Sequence, residues 1–155
     1  MANPERDEKM NRAPLTRVVV VDDSPSMRLL LEKMINAEHD MRVVGSAPDS
    51  LAARELIRQL QPDVVTLDIE MPGMDGLDFL ERLMRLNPLP VLMISSRTEE
   101  GSEHTLRALE LGAVDVICKQ SLTDKGGLSA MAKEVTAKIR LAGSSAGQFK
   151  RLPPL

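Results

Sequence analysis

The chain has 155 residues with a formal net charge of -3, and 43% of its residues are hydrophobic, which fits one domain of ordinary size with a substantial core. The charge gives no case for nucleic-acid binding, the single cysteine excludes an intrachain disulfide and a multi-cysteine metal site, and no apolar run reaches the roughly 18 residues needed for membrane insertion. One cysteine is also typical of a protein in the reducing cytoplasm.

The two ends of the chain differ in composition from its middle. Residues 1–15 are polar and show no hydrophobic period, so we expect a flexible tail there. The last segment, 143–155, reads GSSAGQFKRLPPL, and its small and turn-forming residues are typical of a linker. The folded domain is therefore predicted to span residues 16–142.

Five short apolar runs between these ends predict five strands. β-branched residues dominate most of the runs, which suits strands that are buried on both faces of a parallel sheet. In chain order, the predicted strands are Val18–Val21, Met41–Val44, Val64–Leu67, Val91–Ile94 and Val114–Ile117.

Five segments with apolar residues at helical spacing alternate with these runs. Ser24 and Pro25 fit the cap and the first position of the first helix, and Asp49 fits the cap of the second. Pro88 ends the third helix and Gly112 ends the fourth. The apolar positions are Met27, Leu30, Leu31, Met34 and Ile35; Ala53, Leu56, Ile57 and Leu60; Leu77, Leu80, Leu83 and Met84; Leu106, Leu109 and Ala113; and Leu128, Met131, Val135 and Ile139.

Polar residues collect at the carboxyl ends of the predicted strands. Strands alternating with helices predict a doubly wound α/β domain with a parallel sheet, and right-handed crossovers place all the carboxyl ends at one edge. Ligands bind at that edge in such folds. The residues that reach it are Asp22, Asp23, Asp68, Ser95, Ser96 and Lys119. Because Asp68 comes after the buried stretch of its strand, we expect the cost of burying its charge to be limited.

The chemistry of the residues at this edge indicates that they bind a cation and a phosphoryl group. Three carboxylates repel one another, and a single lysine does not relieve that repulsion. Oxygen ligands without histidine or cysteine suit Mg²⁺. In phosphoryl chemistry an aspartate can be the covalent nucleophile, while a cation and a lysine neutralise charge on the transferred group.

Each of these residues has a simpler explanation when it is taken alone. Asp22 and Asp23 before Ser24 more often belong to the start of a helix, where acids are favourable. Lys119 alone is usually a solvated charge, and Ser95 alone is usually a turn residue. The functional interpretation depends on all of them falling at strand ends on one edge.

Four motifs resemble the receiver domain of two-component response regulators: VVVVDDSPSMR, DVVTLDIEMPGMDGLDFL, PVLMISS and GAVDVICK. The resemblance covers residues 16–141. The stretch VLMISSRTEEGSEHTLRALELGAVDVICK is similar, more particularly, to the receiver of the chemotaxis protein-glutamate methylesterase. The resemblance implies a flavodoxin-like (βα)5 sheet with strand order 2-1-3-4-5.

The resemblance also implies a role for each acidic residue at the edge. Asp68 would accept a phosphoryl group from a partner histidine kinase. Asp23 and Asp68 would bind Mg²⁺ directly, with the backbone carbonyl of Glu70 as a further ligand and Asp22 acting mostly through water.

The remaining edge residues would respond to the phosphoryl group. Ser95 would be the switch hydroxyl that moves toward it, with Ser96 beside it, and Lys119 would pair with one of its oxygens. We add one hypothesis from the residues themselves: Glu70 and Arg97 have opposite charge and would meet over the phosphoryl group, where they would hinder the attacking water and lengthen its lifetime.

The chain departs from the family pattern in three respects. Gln120 follows Lys119 where proline is usual, so we expect a trans bond, because a cis bond there costs about 2.5–4 kcal/mol against about 0.5–1 before proline. Val116 stands where an aromatic switch residue is frequent, so the output change should depend on Ser95 and its loop. The methylesterase domain, with its Ser-His-Asp triad, is missing, so 143–155 is expected to be a linker to an absent output domain.

The expected function is therefore that of a phosphoacceptor receiver that regulates a chemotaxis methylesterase output domain. Contact with that domain or with another target protein is expected through the fourth helix, fifth strand and fifth helix. Three alternatives remain: a stand-alone receiver that acts by phosphorylation-dependent protein–protein interaction, an aspartyl-nucleophile phosphatase, and an interaction module that is independent of phosphorylation. The phosphatase pattern has a second aspartate where this chain has Glu70.

Overall fold

The computed structural model describes residues 15–71, 73–96, 103–119 and 127–151, with side chains described up to residue 144. All five strands pair in parallel in one sheet with the order β2-β1-β3-β4-β5, which confirms the predicted fold class and strand order. The elements in chain order are β1 (Thr16–Val21), α1 (Pro25–Asn36), β2 (Met41–Ala47), α2 (Ser50–Leu60), β3 (Val64–Asp68), α3 (Gly76–Leu86), β4 (Val91–Ser95), α4 (Glu103–Glu110), β5 (Asp115–Cys118) and α5 (Gly127–Arg151).

Side-chain caps fix where three of the helices begin. Ser24 caps α1 and Asp49 caps α2, each accepting a hydrogen bond from the backbone N–H three residues further on. Pro25 occupies the start of α1, as predicted. Asp75 caps α3 in the same way, a cap that was not among the predictions. These caps satisfy backbone donors that the helices leave unpaired.

The apolar runs of β1, β3 and β4 are continuous because their alternate residues face apolar clusters on opposite sides of the sheet. Val19 and Val21 of β1 face one apolar cluster, which α2 and α3 complete. Val18 and Val20 face a second cluster on the other side of the sheet, where residues of α1 and α5 pack. A strand buried on both faces has no polar face to alternate with.

The apolar face of α4 differs from the predicted one. Leu106 and Leu109 were expected to mark its buried side, but they are 53% and 43% exposed, while Ala108 is fully buried. Leu128 of α5 is also 53% exposed. The predicted helices are present, but α4 is short and lies near the edge strand β5, so one side of it has no sheet to cover.

Helix α5 continues past the predicted domain boundary at residue 142. Ala142 is fully buried, and a Cβ atom added to Gly143 would lie 3.0 Å from the Thr16 side chain. The segment expected to act as a linker therefore begins as a helical extension that packs on β1, and its role as a linker stays a prediction. In the described part of the chain, no helix is long and apolar enough to cross a membrane.

The start of α3 lies directly against the end of β3. The Gly76 N–H donates to the Ile69 carbonyl at 2.8 Å. A Cβ atom on Gly76 would lie 2.2 Å from the backbone oxygen of Asp68, a contact that no side-chain rotation can relieve. Only glycine therefore allows this close approach of helix and strand.

We expect Gly76→Ala to destabilise the domain by at least about 2 kcal/mol, because the helix start must move away from β3. Gly73→Ala is the matched control in the same loop: its φ is +85°, and a Cβ atom there would meet none of the described heavy atoms within 4 Å. The control should lose only the roughly 1–2 kcal/mol of left-handed backbone strain. Urea denaturation measures both losses, and a control that loses as much as Gly76→Ala would contradict the close approach.

Candidate functional site

Three carboxylates converge at the carboxyl edge of the two central strands. Asp22 and Asp23 follow β1 directly, and Asp68 is the last residue of β3. Because β1 and β3 pair with Val21 opposite Leu67, their ends lie side by side. One carboxylate oxygen from each of the three residues lies within 4.8 Å of the others.

Lys119 reaches this cluster from the end of β5. Its Nζ atom lies 3.0 Å from Asp22 Oδ2 and 3.3 Å from Asp68 Oδ1. Burial lowers the pKa of Lys119, but the hydrogen bond to Asp22 and the charges of both acids outweigh it, so the net pKa is raised. The amine is therefore protonated and bridges two of the three acids.

Asp68 is more buried than the sequence led us to expect. We expected the cost of its burial to be limited, because it would lie past the buried part of the strand, and that expectation is wrong. Asp68 is 1% exposed, pairs with Ile94 of β4 within the sheet, and is followed by the equally buried Ile69. The buried chain continues beyond it because α3 begins against Ile69, whose carbonyl accepts from the Gly76 N–H.

This burial changes the ionisation of the carboxyl group. Burial raises the pKa of Asp68, the negative charge of Asp22 adds to this increase, and the positive charge of Lys119 opposes both, so that the net pKa is about 7. Near neutral pH, Asp68 therefore carries a charge that its surroundings disfavour.

Backbone groups fix the orientation of both buried acids. Asp22 Oδ1 accepts from the Ser24 N–H at 2.9 Å, and Asp68 Oδ1 accepts from the Glu70 N–H at 3.1 Å. The carbonyl of Asp22 accepts from the Arg28 guanidinium at 2.6 Å, a contact that was not predicted. The feature of the sequence that could have predicted it is the position of Arg28 one helical turn after the cap residue Ser24.

The second oxygen of each buried acid is left for another partner. Among the described residues, Asp68 Oδ2 has no hydrogen-bond donor, and Asp22 Oδ2 has only the ion pair with Lys119. Asp23 is exposed beside them. The unpaired buried oxygen of Asp68, next to the solvent-facing carboxylate of Asp23, fits a hard divalent cation that keeps part of its water shell.

The hydroxyl of Ser95 is directed to Glu70 in this structure. Ser95 Oγ donates to Glu70 Oε1 at 2.9 Å, and the Ser96 N–H donates to Glu70 Oε2 at 3.1 Å. Burial raises the pKa of Glu70, but the donors of Ser96 and Ser95 outweigh it and lower the net pKa. This pairing was not among the sequence predictions, although the register that places Asp68 opposite Ile94 brings Glu70 near the end of β4.

Of the remaining sequence expectations, the structure describes the residue concerned in one case only. Val116, at the position of the frequent aromatic residue, is half-buried and packs against the apolar cluster on the α2 and α3 side of the sheet. Arg97 and Gln120 lie outside the described residues, and so does the predicted tail apart from Leu15. The lid of Glu70 and Arg97 and the trans bond before Gln120 therefore stay predictions.

Comparisons with known proteins agree with this geometry. The family model of the response regulator receiver domain matches residues 18–131. A protein-glutamate methylesterase/protein-glutamine glutaminase of Nitrosomonas europaea is 55% identical over 138 residues, which are 89% of this chain and 38% of the relative. Its counterpart numbered 2 in Cupriavidus pinatubonensis is 60% identical over 126 residues, which are 81% of this chain and 35% of the relative. The chain thus spans little more than a third of these curated relatives.

Solved structures give the same result for the fold. The response regulator domain of Thermotoga maritima CheB is 42% identical and has a TM-score of 0.77, with 90% of this chain and 99% of that domain covered. The signal receiver domain of the response regulator NarL from Mycobacterium tuberculosis is 32% identical and has a TM-score of 0.67, with 81% and 98% covered. Both similarities extend over nearly the whole of the matched domains.

The raised pKa of Asp68 predicts a pH-dependent gain in stability for Asp68→Asn in chelator-containing buffer. The folded pKa is about 7 against the ordinary value of 3.8, so the folded state binds more protons than the unfolded state between these values. The wild type therefore loses stability as the pH rises through this window. At pH 8 we expect the variant to be more stable by roughly 1–3 kcal/mol, with the gain shrinking toward pH 5.

Urea denaturation at both pH values measures this gain. Asp23→Asn is the matched control, because Asp23 belongs to the same cluster but is exposed. A gain in stability for Asp68→Asn that is the same at pH 5 and pH 8 would contradict a raised pKa of the buried Asp68 carboxyl group.

Proposed function

The chain belongs to the family of response regulator receiver domains, and we propose that it accepts a phosphoryl group from a histidine kinase on Asp68. The observation that carries the proposal is the position of Asp68: it lies at the carboxyl edge of the central strand, beside Asp22 and 3.3 Å from the amine of Lys119. The Glu70 N–H and the Lys119 amine both contact Asp68 Oδ1, which leaves Asp68 Oδ2 without a donor among the described residues.

The transfer needs little movement of this chain. A carboxylate oxygen of Asp68 forms the new O–P bond while the N–P bond of the donor imidazole breaks. The nitrogen that leaves phosphorus keeps the bonding electrons, and the ring leaves as neutral imidazole because its other nitrogen carries a proton. The phosphoryl group carries about -1.5 to -2 charge, in place of the single charge of the Asp68 carboxylate. Lys119 is already within ion-pair distance of Asp68 and is available to pair with a phosphoryl oxygen.

A magnesium ion is part of the same proposal. Asp23 and Asp68 would hold it directly with the backbone carbonyl of Glu70, while Asp22 would act mostly through water. When bound, the ion neutralises charge on the transferred group. A cavity of about 360 Å³ beside Asp23 and Glu70 gives water access to this side of the cluster.

The output is proposed to pass through the face of α4, β5 and α5. This face exposes apolar side chains, with Leu106 53%, Val114 37% and Leu128 53% accessible. Since the chain matches little more than a third of two methylesterases, we propose that its target is a methylesterase output domain. A cytoplasmic location, which the single cysteine favours, belongs to the same proposal.

Covalent labelling tests the phosphoacceptor. With a small phosphoramidate donor and Mg²⁺, we expect one phosphoryl group per chain in the wild type and none in Asp68→Asn, because the amide has no nucleophilic oxygen of comparable strength. Intact-protein mass spectrometry measures the label. Asp78→Asn, an exposed acid on α3, should label like the wild type, and a label that persists in Asp68→Asn would place the acceptor elsewhere.

The proposed lid of Glu70 and Arg97 has a separate kinetic test. We expect Glu70→Ala and Arg97→Ala each to speed loss of the phosphoryl group by about threefold or more, because water then reaches the phosphorus more easily. Dephosphorylation is followed after the donor is removed. Unchanged rates in both variants would rule out the lid without affecting the phosphoacceptor assignment.

A further inference from the structure

The carboxylate of Glu70 connects the phosphoacceptor loop to the end of β4. Its two oxygens accept from consecutive residues, the Ser95 hydroxyl at 2.9 Å and the Ser96 N–H at 3.1 Å. The backbone N–H of the same residue donates to Asp68 Oδ1 at 3.1 Å. One residue thus contacts both the phosphoacceptor and the hydroxyl expected to respond to it.

This contact competes with the expected switch. A serine hydroxyl has one proton to donate, so Ser95 cannot donate to Glu70 and to a phosphoryl oxygen at the same time. Hydrogen bonds to an ionised acceptor are among the stronger ones in proteins. Ser95 is 3% exposed, so water does not readily replace Glu70 as its partner.

We propose that Glu70 is a latch that holds Ser95 and Ser96 in the unphosphorylated arrangement and that negative charge on Asp68 releases it. The proposal rests on the proposed function, since it requires that Asp68 gains a phosphoryl group. That group places further negative charge two residues from an ionised carboxylate, and like charges in a half-buried site repel. The repulsion breaks the hydrogen bonds from Ser95 and Ser96 to the Glu70 carboxylate and frees the Ser95 hydroxyl for the phosphoryl oxygen.

The latch acts at the end of β4, the strand that precedes α4 in the chain. Because Glu70 accepts from the Ser95 hydroxyl and the Ser96 N–H, its departure releases one backbone donor as well as one side chain. Helix α4 buries only Ala108 among its residues, so it is weakly anchored. Glu70 is a positioning residue in this scheme: it acts through Ser95 and Ser96 and not on the phosphorus.

The first test uses protein without metal or phosphoryl group. We expect the Ser96 amide proton to exchange at least about tenfold faster in Glu70→Ala than in the wild type, because a charged acceptor is lost. Glu70→Gln keeps one acceptor oxygen and should fall between the two. Glu81→Ala, an exposed acid on α3, is the control and should match the wild type. Equal exchange rates in Glu70→Ala and the wild type would overturn the latch.

The second test is a double-mutant cycle on the affinity for beryllofluoride, a phosphoryl mimic, at saturating Mg²⁺. Glu70→Ala keeps the backbone carbonyl, and we expect it to bind the mimic about threefold to tenfold more tightly because the competing acceptor is gone. In the Ser95→Ala background this gain should shrink to less than half. A gain of the same size in both backgrounds would show simple charge repulsion and overturn the latch.

The two tests separate this proposal from the proposed function. The exchange measurement needs no phosphorylation, so its result stands even if Asp68 proves not to be the phosphoacceptor. If Asp68 labels normally while the cycle shows no coupling between Glu70 and Ser95, the latch is wrong and the receiver function is retained.

Discussion

The confinement of three negative charges at one edge of the sheet is the constraint on which the rest of this molecule depends. Asp22 and Asp68 are each 1% exposed, and Lys119 is the cation that ion-pairs with both. The arrangement is costly, as the raised pKa of Asp68 shows. A fold that optimised stability alone would place an uncharged side chain there, so the cost indicates that the edge is kept for a ligand.

Short, local contacts hold these charges in place. The Ser24 N–H and the Arg28 guanidinium hold Asp22 from the start of α1. The loop after β3 holds Asp68 through the Glu70 N–H, and Gly76 lets α3 begin against the same strand end. Each acid is therefore oriented by the segment that follows its own strand. A change of charge on Asp22 or Asp68 acts first on the hydrogen bonds to those segments.

The sequence predicted the parts of this arrangement that depend on period and chain direction. Val18–Val21 predicted a strand buried on both faces, and Ser24 predicted a helix start, because both are local patterns. The burial of Asp68 and the pairing of Glu70 with Ser95 depend on how neighbouring strands and loops enclose them. The exposed side of α4 was missed for the same reason: Leu106 shows helical spacing, but spacing does not reveal which side a neighbour covers.

Val116 limits the routes by which the proposed phosphorylation signal can leave the site. An aliphatic residue packed against the α2 and α3 side of the sheet offers no ring whose rotation would couple β5 to the outer face. The remaining route runs through the strand ends: Ser95 pairs in register with Cys118, the neighbour of Lys119. The two groups expected to contact the phosphoryl group thus come from adjacent strand ends, with α4 as the connection between the strands. Because α4 is short and buries one residue, moving it costs less free energy than moving a well-packed helix.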